Sequence, residues 1–214
     1  MKVLITGFDP FGGESLNPAY EAVKQMKDHI AGAEIVKLEI PTIFGKAVNV
    51  IEEAIEKEQP NIVLSVGQAG NRFDIEVERI GINLADGRIA DNAGHQPIDE
   101  TIRMDGETAY FSNLPVKAMV PAIRDAGIPA SVSYTAGSYV CNYVLYSILY
   151  LIDKKYPTLR GGFIHVPFAP AQAIGKPLNT PTMSIETIAR ALNAAVEAAI
   201  RYKEDLKSAE GKIS

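Results

Sequence analysis

The chain has 214 residues, 47% hydrophobic and 22% charged, with a formal net charge of -5. That length can bury a core without a metal or disulfide staple, and that balance excludes the low-hydrophobicity, high-charge class of disordered chains. The acidic excess also argues against a phosphate-tracking surface, so nucleic acid is not an expected partner.

Lys2 to Phe8 reads as a buried first strand and not as a targeting segment, because no small-residue cleavage site follows a longer apolar run. A Gly/Pro-punctuated loop, Phe8 to Gly13, leads to a helix starting near Asn17-Pro18. Glu34 to Ile40 alternates as a second strand, Phe44 to Glu58 has amphipathic helical spacing, and Asn61 to Val66 suits a strand buried on both faces. Between Gly67 and Met104 lie Gly, Asn and Asp clusters around two apolar stretches, Ile75 to Leu84 and Ile89 to Ala90, which suggest a hairpin excursion.

Regular β-α alternation then resumes. A helix over Val116 to Asp125 ends at Gly127, a strand covers Ala130 to Tyr134, a helix runs from Cys141 to Lys155, and a strand covers Gly162 to Val166. After a proline-rich stretch, Pro167 to Pro181, a last helix runs from Ser184 to Leu206, and the polar tail over 206–214 is expected to fray. The pattern predicts one α/β domain over residues 1–214, an α/β/α sandwich on a mostly parallel twisted sheet. No stretch reaches the about eighteen consecutive apolar residues of a membrane span, so no membrane association and a cytoplasmic location are expected.

Cys141 is the one cysteine, which excludes an internal disulfide; with only three scattered histidines no structural zinc site is expected. It follows a strand and a Gly-containing turn and opens a helix, where backbone N–H groups stabilise a thiolate and can hold an oxyanion. A thiol nucleophile needs a base within hydrogen-bond reach, and His165, near the carboxyl end of the next strand, is the best placed. An acid should orient that imidazole: Glu76, Glu78, Asp86 and Asp91 are available. Alternation puts Glu76 and Glu78 on one face, and spacing does not choose between them.

Four ordered motifs, Gly7-Phe8-Asp9-Pro10-Phe11-Gly12-Gly13, Val77-Glu78-Arg79-Ile80, Ala136-Gly137-Ser138-Tyr139-Val140-Cys141-Asn142 and Phe163-Ile164-His165-Val166-Pro167, make nearly the whole chain resemble the pyroglutamyl peptidase type I family of cysteine peptidases. The resemblance implies a Cys-His-Glu triad at Cys141, His165 and Glu78, with no metal or organic cofactor. It implies as substrates peptides with an N-terminal pyroglutamyl residue, whose flat neutral ring would be taken by Phe8, Phe11, Ile89, Tyr139 and Val140. Gly67 and Gln68 are implied as binding-loop residues, through backbone groups near Gln68, with Asn17 a further candidate. A homo-oligomer, a tetramer by resemblance, is also implied, with the proline-rich stretch or Ile75 to Leu84 as its interface. Glu76 departs from the family, which usually has a small hydroxyl residue there, and a second carboxylate would perturb the site electrostatically. The alternatives are an amidohydrolase for another small lactam or amide, or a non-catalytic small-molecule binding protein with an inert buried thiol.

Overall fold

The computed structural model describes residues 1–211, so residues 212–214 of the tail lie outside the described residues. A seven-stranded sheet runs in the order β2-β3-β1-β4-β9-β5-β8. Its members are β1 (Lys2–Phe8), β2 (His29–Ile30), β3 (Ala33–Ile40), β4 (Ile62–Gln68), β5 (Ile75–Glu78), β8 (Ala130–Ser133) and β9 (Arg160–Val166). Strands β3, β1, β4 and β9 are mutually parallel; β5 and β8 are parallel to each other but antiparallel to β9. The fold is α/β, on a mostly parallel mixed sheet.

Helices cover both faces. Val3 and Ile5 of β1 pack with α1 (Pro18–Gln25), α3 (Val116–Asp125) and α5 (Ile185–Arg201), while Leu4 packs with α2 (Lys46–Glu58) and α4 (Val140–Lys154). This two-sided burial explains why the central strands read as near-continuous apolar runs, since neither face meets water. Among the described residues no helix is long and apolar enough to cross a membrane.

Two expectations need correction. The apolar stretch Ile75 to Leu84 is not one excursion: β5 is a fully buried strand between β9 and β8, and only β6 (Ile80–Ile82) leaves to pair with β7 (Ala109–Phe111). Glu76 and Glu78 give β5 the alternation of a half-solvated strand, yet both are buried. Second, α5 ends at Arg201, not near Leu206, and among the described residues the chain after it returns to α3 through Asp205, Ser208 and Glu210.

That return has a physical cause. Helix α3 starts after Pro115, which supplies no side-chain cap, and the Asp205 carboxylate serves instead, accepting from Lys117 N at 2.8 Å and Ala118 N at 3.1 Å. Farther along, Glu210 pairs with Arg124 near the other end of the helix. Asp205→Ala should therefore lower stability by about 1 kcal/mol, the usual worth of an N-terminal cap, read as a lower urea midpoint with unchanged m-value.

Candidate active site

The site begins with side-chain alternation in two central strands. On β9, Ile164 and Val166 enter the core beneath α1, α3 and α5, which turns Phe163 and His165 to the α4 face. Strand β5 runs antiparallel beside it with Glu76 opposite His165 and Val77 opposite Ile164. Since Ile75 and Val77 enter the same core as Ile164, Glu76 and Glu78 also face α4. Glu78 is 0% exposed, and its Oε1 lies 2.7 Å from His165 Nδ1. The imidazole thus has Nε2 left, and Cys141 lines the same cleft and adds to the upward pull on its pKa.

Cys141 does not reach this point as expected from the carboxyl ends of neighbouring parallel strands. Strand β8 is antiparallel to β9, so its carboxyl end points away, and residues 134–139 must carry the chain back. Gly137, at φ +77°, permits that reversal. Ser138 fixes its end, donating through Oγ to Asp86 O at 2.9 Å and accepting from Asp86 N at 2.9 Å. Next to the thiol, buried Asn142 donates to Ile82 O and Leu84 O and accepts from Ile82 N, tying the first turn of α4 to β6. No side chain caps the N-terminus of α4, unlike α1 and α5, capped by Asn17 and Ser184. Below the thiol, Gly67 leaves necessary room: a Cβ there would lie 2.8 Å from Cys141 Sγ and 2.7 Å from the Phe163 ring.

A cleft of about 310 Å³ opens over these groups, lined in part by Phe11, Gln68, Ile89, Tyr139, Cys141 and His165. Phe8 and Val140 do not line it. They are 2% and 0% exposed and belong to the core behind it, where the Phe8 ring packs 6.2 Å from that of Phe163. Asn17 also lies off the cleft wall: it caps α1, accepting from Ala19 N, and donates to Asp9 O. Sequence reasoning missed the lining residues Arg72, Asp86 as a wall, Arg88 and Ala136. Arg72 forms an ion pair with Glu76, so the unusual carboxylate beside His165 is matched by a cation.

Charge follows this geometry. Burial pushes the imidazole of His165 toward its neutral form, but Cys141 and Glu78 outweigh that and raise its pKa from 6.5 to about 9. Burial, with Asp91 and Cys141 adding to it, pushes the Tyr139 phenol up to about 12, and its hydroxyl donates to Ala90 O at 3.0 Å. The cleft wall at Tyr139 is therefore neutral. Phe44 meets Tyr139 edge-on at 5.3 Å, and the Phe11 ring lies 6.3 Å from it.

Loops far apart in sequence are pinned together behind that wall. Asp9 Oδ1 accepts from Thr42 N at 2.7 Å and from Asn92 Nδ2 at 3.2 Å, and Asn92 Nδ2 also donates to Pro10 O. Buried Asp91 accepts from the backbone of Phe44, Ala93 and His95. These contacts hold the segment carrying Phe11 against the one carrying Ile89.

A family model described as pyroglutamyl peptidase matches residues 1–202. The chain belongs to the pyroglutamyl peptidase family. It is thereby a cysteine-type hydrolase. It is 57% identical over 213 residues to the pyrrolidone-carboxylate peptidase of Clostridium perfringens, with all of both chains covered. Among solved structures it is similar to pyroglutamyl peptidase I from Bacillus amyloliquefaciens, with 46% identity, 97% and 98% of the two chains covered and a TM-score of 0.94. The pyrrolidone carboxyl peptidase of Thermococcus litoralis is 40% identical, with 100% and 99% covered and a TM-score of 0.91.

Two outcomes follow from the geometry. Gly67→Ala should displace the thiol and lower turnover by about a hundredfold, the usual effect of a misplacement on the order of 1 Å, measured as the initial rate of folded protein. Because the pKa of His165 is raised on folding, its contribution to stability is full below pH 6.5 and is lost as pH rises through about 9. Urea unfolding between pH 6 and 10 should show that decline, and in Glu78→Gln, with the folded-state pKa lowered, it should be smaller and end at lower pH.

Proposed function

We propose that this pyroglutamyl peptidase cuts an N-terminal pyroglutamyl residue from peptides with Cys141 as nucleophile, His165 as proton carrier and Glu78 as the group that orients it. The observation that carries the reading is the bond from His165 to fully buried Glu78, beside Cys141 at an uncapped helix start, with Cys141 and His165 lining one aromatic-walled cleft. The thiol proton passes to His165, and the sulfur attacks the pyroglutamyl carbonyl carbon. The oxygen then bears the negative charge, stabilised by N–H groups at the start of α4. Collapse of this adduct breaks the C–N bond as His165 gives its proton to the leaving amine. Water, losing a proton to His165, then attacks the thioester and releases pyroglutamate and the free thiol. A pKa raised to about 9 suits the donor role, because the proton His165 has taken up is held at neutral pH until the leaving nitrogen needs it.

The substrate reading rests on the cleft wall. Phe11, Ile89 and neutral Tyr139 suit the faces of a flat uncharged lactam, whereas an acidic group for a free α-amine is not required. Gly67 and Gln68 serve as the binding strand end beside it. Phe8 and Val140 support the wall from behind, and Asn17 supports the loop that carries Phe11. A thiol that must stay reduced suits the cytoplasm. Homo-oligomer formation, as a tetramer, would cover Ile174 and Leu178, which are 85% and 95% exposed on the proline-rich segment.

The decisive experiment is release of aminomethylcoumarin from its pyroglutamyl and prolyl derivatives by wild type and Cys141→Ala. Cys141-dependent release that favours the pyroglutamyl compound is expected. No release by folded wild type, or release that persists in Cys141→Ala, would overturn the reading.

A further inference from the structure

The mechanism uses nothing from the proline-rich segment 167–181, yet this segment sends one buried amide to the edge of the cleft. Gln172, 5% exposed in the short turn Pro170–Ala173, accepts through Oε1 from Ala169 N at 3.0 Å. A backbone N–H can only donate, so this contact settles which end of the amide is oxygen. The other end, Nε2, lies 3.5 Å from the carbonyl oxygen of Leu16, which can only accept. Two backbone groups of opposite polarity thus fix the orientation of Gln172. Its Nε2 donates to Gln68 Oε1 at 2.8 Å, so the Gln68 amide is fixed in turn. With Oε1 engaged, the N–H pair of Gln68 is the end left for the cleft that this residue lines.

We infer that Gln172 is a positioning residue for substrate specificity: through two amides it makes Gln68 present a hydrogen-bond donor to the carbonyl oxygen of the substrate's lactam ring. This inference rests on the pyroglutamyl reading above and adds a side-chain contact to the one implied for the backbone. A lactam carbonyl accepts, whereas a prolyl ring has a methylene in that place, next to a protonated ring nitrogen that can only donate. A Gln68 amide turned the other way would face the lactam carbonyl with its own oxygen and would suit the prolyl ring better. Discrimination between two rings of nearly equal shape then depends on the polarity of one amide.

Gln172→Glu reverses the relay, because a carboxylate can accept from Ala169 N and from the Gln68 N–H pair, turning Gln68 Oε1 to the cleft. The test is kcat and KM for pyroglutamyl- and prolyl-aminomethylcoumarin with wild type, Gln172→Glu, Gln172→Met, Gln68→Met and the Gln68→Met/Gln172→Glu double variant. For Gln172→Glu, kcat/KM on the pyroglutamyl compound should fall about ten- to a hundredfold, chiefly through KM, as expected for a mismatched buried hydrogen bond. Prolyl turnover should hold or rise. Gln172→Met, which frees the amide without reversing it, should shift the ratio in the same direction by less. In the Gln68→Met background, Gln172→Glu should leave the ratio unchanged. Equal losses on both substrates, or the same ratio shift without Gln68, would overturn the relay and leave Gln172 a packing residue. Should Gln172→Glu not fold, the ratio in Gln172→Met decides by the same criterion. Wild type lacking Cys141-dependent pyroglutamyl turnover removes both the function reading and the relay; wild-type turnover with an unmoved ratio removes the relay alone.

Discussion

The 2.7 Å contact between His165 and Glu78 is the interaction around which the rest of the structure is arranged. A carboxylate with no exposed surface is costly unless a partner offsets its lost hydration, and removing one member of such a buried pair leaves the other charge uncompensated. The partner must therefore lie on an adjacent strand, on the same face, with nothing able to swing away. Placing β5 antiparallel against β9 meets that requirement, because the register opposing Glu76 to His165 turns both glutamates to His165's face.

That choice of strand direction has consequences elsewhere. Strand β8 pairs parallel to β5 and so also runs against β9, which leaves its carboxyl end pointing away from the site. The chain returns through the Gly137 turn, the Ser138–Asp86 clasp and the Asn142 contacts with β6 and the residue after it. The start of α4 is therefore held at both ends of a short segment, with its backbone N–H groups free of a capping side chain. Small β6 and β7 find their purpose here: they leave the main sheet and give Asn142 a backbone to grip.

The cleft wall is built on a different principle. Its aromatic residues come from loops, and loops are ordered by polar contacts more than by burial. Asp9 and Asp91 both accept from backbone N–H groups of the 42–44 segment and Asn92 donates to Pro10 O, so Phe11 and Ile89 face one cleft although 78 positions separate them. Acidic residues that look like catalytic candidates in a sequence can serve this way. Asp91, considered as an orienting acid, is instead a loop anchor, and Asp86 contributes backbone contacts to Ser138 and a wall to the cleft.

The sequence by itself determined most of the elements and singled out the candidate reacting groups. Periodicity located the major helices and most central strands because each buries a regular stripe, and the chemistry of one cysteine at a helix start with one nearby strand histidine is local. It did not determine strand direction, since a period-2 pattern is the same read either way, and so it gave neither the antiparallel entry of β5 nor the reversal before Cys141. Nor could spacing rank Glu76 against Glu78; the resemblance favoured Glu78, and register brought its carboxylate to His165 while Glu76 met Arg72. Burial separated Phe8 and Val140 in the core from Phe11 and Tyr139 on the wall, though all four are apolar or aromatic and lie in the same two motifs. These are questions of which neighbours meet across long sequence distances, and only the packed sheet, with one face committed to each layer of helices, decides them.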